Sequence, residues 1–185
     1  MQRDPFRPLW WPFISEGTLR GGWRVLIFFA LFIAGSELLE SVWPHADAGS
    51  ELEALPALGR ETLQLMLVVA ATLLLGSFER RTLGNYGLPL VLDRRALRGF
   101  GLGFVAASAL LLTLAGLRVM HFSVGAQSEV AIASHAIQWA LMFFVVALFE
   151  ELFMRGYAQA TLARSIGFWP AGVLLSILFA LVHAH

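Results

Sequence analysis

Ile137-Gln138-Trp139-Ala140-Leu141-Met142-Phe143-Phe144-Val145-Val146-Ala147-Leu148-Phe149-Glu150-Glu151-Leu152-Phe153-Met154 is an apolar run that closes on two adjacent carboxylates. A bilayer core about 30 Å thick is crossed by roughly 20 apolar residues in a helix, so a run of this length is a candidate membrane span. Four comparable runs lie outward from it, at about 23–39, 62–78, 99–117 and 168–185. Open strands would leave backbone groups unpaired in lipid, and the alternating pattern of a barrel is absent. The expected fold is therefore all-α: one membrane domain over 1–185, a polytopic transmembrane helix bundle of about five spans.

Composition agrees. Of 185 residues 58% are hydrophobic and only 14% charged, with a mean hydropathy of +0.71, which an ordinary soluble surface does not allow. The 13 basic residues, all Arg, balance 13 acidic ones, so no nucleic-acid footprint is expected. With no Cys, thiolate metal sites and thiol catalysis are excluded.

Arg sets the orientation. Arg3, Arg7, Arg20 and Arg24 precede or open the first span, and Arg80, Arg81, Arg94, Arg95 and Arg98 fill the 79–98 connection. By the positive-inside rule the amino terminus, that connection and the segment holding Arg155 and Arg164 are expected to be cytoplasmic. Trp23, Trp43, Trp139 and Trp169 all fall near an expected helix end, as indole rings at the headgroup boundary should, and Trp10 and Trp11 suit the membrane surface. A cleaved signal peptide is the competing reading of the first span. The long gap from its apolar run to Ala46-Asp47-Ala48, which includes Glu37 and Glu40, argues against it.

Charged residues at depth are costly and tend to face polar cavities. Glu151 and Arg155 stand four apart, acid first, which favours an ion pair on one helix face; Glu150 points about 100° away from Glu151. One carboxylate is thus held by Arg while its neighbour stays available to a proton or a metal. Phe179 and His183 also share a face of the fifth span. The plain alternatives are a helix end where charges reach water and a hydrogen-bonded packing histidine. Counting 1.5 Å per residue from the start of each run places Glu150 roughly 20 Å from the outer boundary and His183 roughly 22 Å from the inner one. In a core of about 30 Å that is a depth mismatch on the order of 10 Å. It closes only if the fourth helix begins outside the bilayer, the fifth begins below the surface, or the helices tilt.

Glu-Glu-x-x-x-Arg at 150–155, followed by Phe-x-x-x-His at 179–183, resembles the first two motifs of the CPBP family of intramembrane metalloproteases, the CAAX-processing and bacteriocin-processing enzymes also grouped as Abi. Phe78-Glu79-Arg80-Arg81, Tyr86-Gly87-Leu88-Pro89 and Arg94-Arg95-Ala96-Leu97-Arg98-Gly99 resemble the family's lead-in. The resemblance implies a membrane endopeptidase that uses a divalent metal, zinc in the first instance. Glu150 would activate the hydrolytic water, Glu151 and Arg155 would form its companion pair, and His183 with Glu150 would contribute to the metal. It implies a peptide or protein substrate, a prenylated terminus or a leader peptide, and a prokaryotic plasma membrane. The family's further motif, a His followed four residues later by Asn, has no match up to His185, so the expected site is half supplied and the chain is expected to stop short of a later helix. Two other classes stay open: a non-catalytic membrane protein of the same fold, such as an immunity or partner-binding factor, and a small proton-coupled transporter. His45, His121 and His135 are expected to face solvent in or beside outer loops.

Overall fold

The structure is a computed structural model that describes residues 14–15, 18–42, 54–87, 94–122 and 128–184. Apart from an antiparallel pair, β1 (Ile14–Ser15) and β2 (Thr18–Leu19), in which Ile14 faces Leu19 and Ser15 faces Thr18, it is helical. The helices are α1 (Gly21–Val42), α2 (Ala54–Phe78), α3 (Arg94–Gly116), α4 (Glu129–Glu150), α5 (Gln159–Ile166) and α6 (Phe168–Val182). A π-helical segment, Glu151–Ala158, joins α4 to α5, and a 3₁₀ turn spans Leu83–Tyr86. Among the described residues four stretches are long and apolar enough to cross a membrane, and α6 is a shorter apolar helix, so the polytopic all-α expectation holds. Trp10, Trp11, Trp43, His45 and His185 lie outside the described residues.

Each long helix outruns its apolar run, because helical hydrogen bonding continues through polar flanks once a span has nucleated the helix. The largest difference is at the fourth span. It begins at Glu129, roughly two turns before Ile137, and just past Met154 the chain kinks at Gly156, with φ of -72° and ψ of -109°, before α5 runs on to Ile166. Trp139, expected at a helix end, therefore lies inside α4, where it leans on Phe143 with ring centroids 5.7 Å apart.

The chain divides into two compact units, residues 1–88 with 137–185, and residues 89–136. The second holds α3 and the first turns of α4. Leu97, Phe100, Phe104 and Leu112 of α3 are all exposed, a surface suited to lipid rather than water.

The first unit carries the core. Val25, Phe28 and Phe32 of α1, at helical spacing, pack with Val68 and Ala71 of α2 and with Leu152, Tyr157 and Ala158 around the π segment. Phe28, fully buried, lies 5.1 Å from the Tyr157 ring and 6.0 Å from that of Phe153. The backbones of α1 and α5 come close at Gly21, where a Cβ would sit 3.1 Å from the Thr161 carbonyl and collide with the Ser165 hydroxyl. A side chain at Gly21 would require the Ser165 hydroxyl to rotate away and the Thr161 carbonyl to give way slightly.

Gly167 reverses the chain between α5 and α6. Its φ of 94° with ψ of 159° lies in a region that side chains essentially exclude. Behind this turn α6 runs back along α5 and the π segment.

Candidate active site

Glu150 and His183 lie at nearly equal distances along the chain on either side of Gly167, so the helical hairpin brings them level. Nε2 of His183 is 3.5 Å from Oε1 of Glu150. The two side chains meet, so the depth mismatch counted from the apolar runs does not keep them apart.

The other imidazole nitrogen is held by the helix. Nδ1 of His183 is 2.9 Å from the carbonyl oxygen of Phe179, and a carbonyl only accepts, so Nδ1 carries the proton. Nε2 is the ring nitrogen that faces Glu150. The Phe179 ring flanks the imidazole at a centroid distance of 4.1 Å.

The Glu151 carboxylate accepts from Nη1 of Arg155 at 3.0 Å. This pair forms inside the π segment, where one extra residue per hydrogen-bonded turn is the kind of irregularity that gathers at functional sites. Both side chains are largely exposed, so the bond orients more than it stabilises. The two adjacent acids therefore have different partners, as their angular separation requires.

Glu150, Glu151, Met154 and Arg155 form one wall of a cavity of about 360 Å³, and Leu175, Ser176 and Phe179 of α6 form another. Gln159 of α5 closes it beside Gly172. Gln159 and Ser176 add neutral donors and acceptors to the charged end and belong to no motif recognised in the sequence. What placed them there is the hairpin. Glu61 of α2 stands within electrostatic range of Glu150.

A catalytic zinc takes three protein ligands and keeps a position for water. Glu150 and His183 supply two donors, and among the described residues no group of three or more His, Cys, Asp or Glu comes together. The described donor set therefore falls short of a metal centre. His121 and His135 are exposed.

A second polar cluster was not singled out as a unit in the sequence. Glu79, at the end of α2 and only 10% exposed, accepts from the hydroxyls of Tyr86, at 3.1 Å, and Tyr157. The same carboxylate faces Arg24 at 3.2 Å, Arg164 at 3.4 Å and Arg81 at 3.6 Å. Arg164 also lies over the Tyr86 ring, 5.7 Å from its centroid, and donates to Thr161 Oγ1 at 3.1 Å. Burial, and then the Glu79 charge beside it, raise the Tyr86 hydroxyl pKa above its ordinary value. One acid thus ties α1, α2, the 3₁₀ turn, the π segment and α5 together, a turn or two along from Glu150. The signal available in the sequence was an acid embedded among arginines at the Arg-rich end of a span.

The helices and the carboxylate–imidazole pair define a polytopic membrane protein with a polar site on its own helices, open at Glu150, Glu151, Arg155 and His183. Residues 131–185, which hold every member of that site except its neighbour Glu61, match the family model described as Type II CAAX prenyl endopeptidase Rce1-like, consistent with a member of the CPBP/CAAX protease family. The match supports a CAAX-type membrane protease. Neither a curated protein nor a solved structure matches the chain significantly.

Proposed function

We propose that the chain is a membrane-embedded endopeptidase that hydrolyses a peptide bond with a water activated by Glu150. The observation that carries this reading is the 3.5 Å approach of His183 Nε2 to Glu150 Oε1 at a cavity built from the family-matched segment. A carboxylate oxygen and an imidazole nitrogen at that spacing can both hydrogen-bond one water. Glu150 takes the water's proton as its oxygen attacks the scissile carbonyl, and the same carboxylic acid returns the proton to the leaving amine. His183, fixed through Nδ1, orients the water. Arg155 holds Glu151 away from Glu150 and presents its guanidinium to the cavity, where a developing oxyanion would need it.

The metal dependence implied by the family resemblance finds two donors among the described residues, and the roles assigned here are those of the base and its imidazole partner alone. The substrate class carried over from the resemblance is a prenylated carboxyl terminus or a leader peptide.

The test is cleavage of a prenylated CAAX peptide and of a leader-peptide substrate by the chain in proteoliposomes. Glu150→Ala should abolish hydrolysis while membrane insertion and thermal midpoint are retained. Unchanged proteolysis by that variant would refute the assignment.

A further inference from the structure

One face of α6 and its C-cap follows the cavity along its length. Gly172, Ser176, Phe179 and His183 recur at intervals of four, three and four residues, which keeps them on one side of a helix. The first three line the cavity, and His183 meets Glu150. From Gly172 to His183 the face rises roughly 16 Å. An extended peptide covers that length with about five residues.

The two ends differ in chemistry. Glu150, Glu151 and Arg155 stand at one, and at the other Gln159 of α5 lies beside Gly172 with its neutral amide. A Cβ at Gly172 would stand 3.7 Å from Nε2 of Gln159, an ordinary van der Waals contact. Glycine weakens a helix interior relative to alanine, and here the group it leaves room for is a side-chain amide, not another backbone. A methyl would fit; a longer side chain would lie over the amide. Gly172 therefore keeps the Gln159 amide open to the cavity.

We propose that Gln159, kept open by Gly172, is a substrate-positioning residue whose amide pairs with one peptide group of an extended substrate, about three to five residues from the bond cut at Glu150. Nε2 donates to a carbonyl and Oε1 accepts from an N–H, the two groups that a peptide unit offers. A neutral amide suits the neutral backbone and asks nothing of the side chains, so it sets the register of the substrate and not its sequence. The inference rests on the peptide hydrolysis proposed above, and Gln159 takes no part in the proton transfers. A contact made equally before and during the reaction moves KM and leaves kcat.

The full chain in proteoliposomes can be assayed with the prenylated CAAX peptide and the leader-peptide substrate, for kcat and KM, and for peptide binding in the Glu150→Ala background. Gln159→Met should raise KM and the dissociation constant about tenfold, the worth of one or two hydrogen bonds, with the thermal midpoint retained and kcat within about twofold. Gly172→Leu, which covers the amide without replacing it, should do the same, and joining it to Gln159→Met should add little. In an N-methyl scan of the peptide backbone, one position should weaken binding to the parent chain and not to Gln159→Met. Arg60→Gln, in the Glu40 ion pair of α1 and α2, should change none of these values. If Gln159→Met does not fold, Gly172→Leu still decides the matter. Unchanged KM and binding in both variants, or a fall in kcat at constant KM, would overturn the subsite, while Glu150-dependent cleavage leaves the hydrolysis standing. Peptide binding that depends on Gln159, in a chain that cuts neither peptide, would support the subsite and overturn the hydrolysis.

Discussion

Tyr157 donates its hydroxyl to Glu79 across 78 residues of chain, and the ring that carries the hydroxyl is fully buried against Phe28. The bond fixes the π segment to the end of α2 just beyond the pair of acids. Tyr157→Phe keeps the ring and removes one hydrogen bond to a charged group, worth about 1.5–3 kcal/mol. For a chain of this size the thermal midpoint should drop by roughly 3–12 °C. Glu79→Gln should cost more, since it removes the charge that Arg24, Arg81 and Arg164 all face as well as the acceptor of two tyrosine hydroxyls. Differential scanning fluorimetry in a neutral detergent measures both; a smaller loss for Glu79→Gln would show that the arginines do not depend on it.

Gly167 is the pivot on which Glu150 and His183 become level. Gly167→Ala places a Cβ where φ is 94° and ψ is 159°, at a cost of about 1–3 kcal/mol. A lower midpoint and a longer spin-label distance between positions 150 and 183 are expected together. An alanine variant with unchanged stability would show that the turn is not under this constraint.

Glu151 and Arg155 separate stability from activity. Their ion pair is exposed on both sides, so Glu151→Gln should move stability by no more than about 0.5 kcal/mol. In the proposed hydrolysis it should lower kcat by tenfold or more, because Arg155 loses the partner that aims it and displacements near 1 Å cost about that or more. Parallel midpoint and single-turnover measurements read the two effects. Loss of stability without loss of rate would make the pair a structural one.

Tyr86 gives a pH signature outside the spans. Its folded pKa is raised above the ordinary 10.0 by burial and by Glu79. Below that ordinary value both folded and unfolded states keep the proton, and the contribution to stability is whole. As pH rises above it the unfolded chain ionises first, so stability falls until the folded pKa is reached. Unfolding midpoints should therefore be insensitive to this residue below about pH 10 and decline above it. Tyr86→Phe should flatten the decline, and an identical alkaline slope in that variant would assign it elsewhere.

Periodicity of composition made the spans legible, since length and apolarity are local properties that lipid tests directly. The four-residue spacings also survived folding: Glu151 meets Arg155, and Phe179 lies against His183. Helix ends were less legible. Nothing in the apolar run at 137–154 announces that the chain kinks at Gly156 and turns helical again as α5, because polar residues beyond a span are compatible with helix and with loop alike. For the same reason the depth count put Glu150 and His183 apart. The glutamate that organises five segments was hidden as well, since its partners Arg24, Tyr157 and Arg164 are remote in sequence.

By itself the sequence determined an all-helical membrane chain, the face that pairs Glu151 with Arg155, and the acid and the imidazole that a hydrolytic site would use. Those follow from one helix at a time, through a fixed rise and a fixed turn per residue. Only the tertiary structure decided that the acid and the imidazole meet, that Gln159 and Ser176 share their cavity, and that Glu79 gathers three arginines. Each of these depends on where the chain reverses and how closely helices approach. Two glycines, Gly167 at the turn and Gly21 at the α1–α5 contact, set those quantities, and no count of apolar residues contains them.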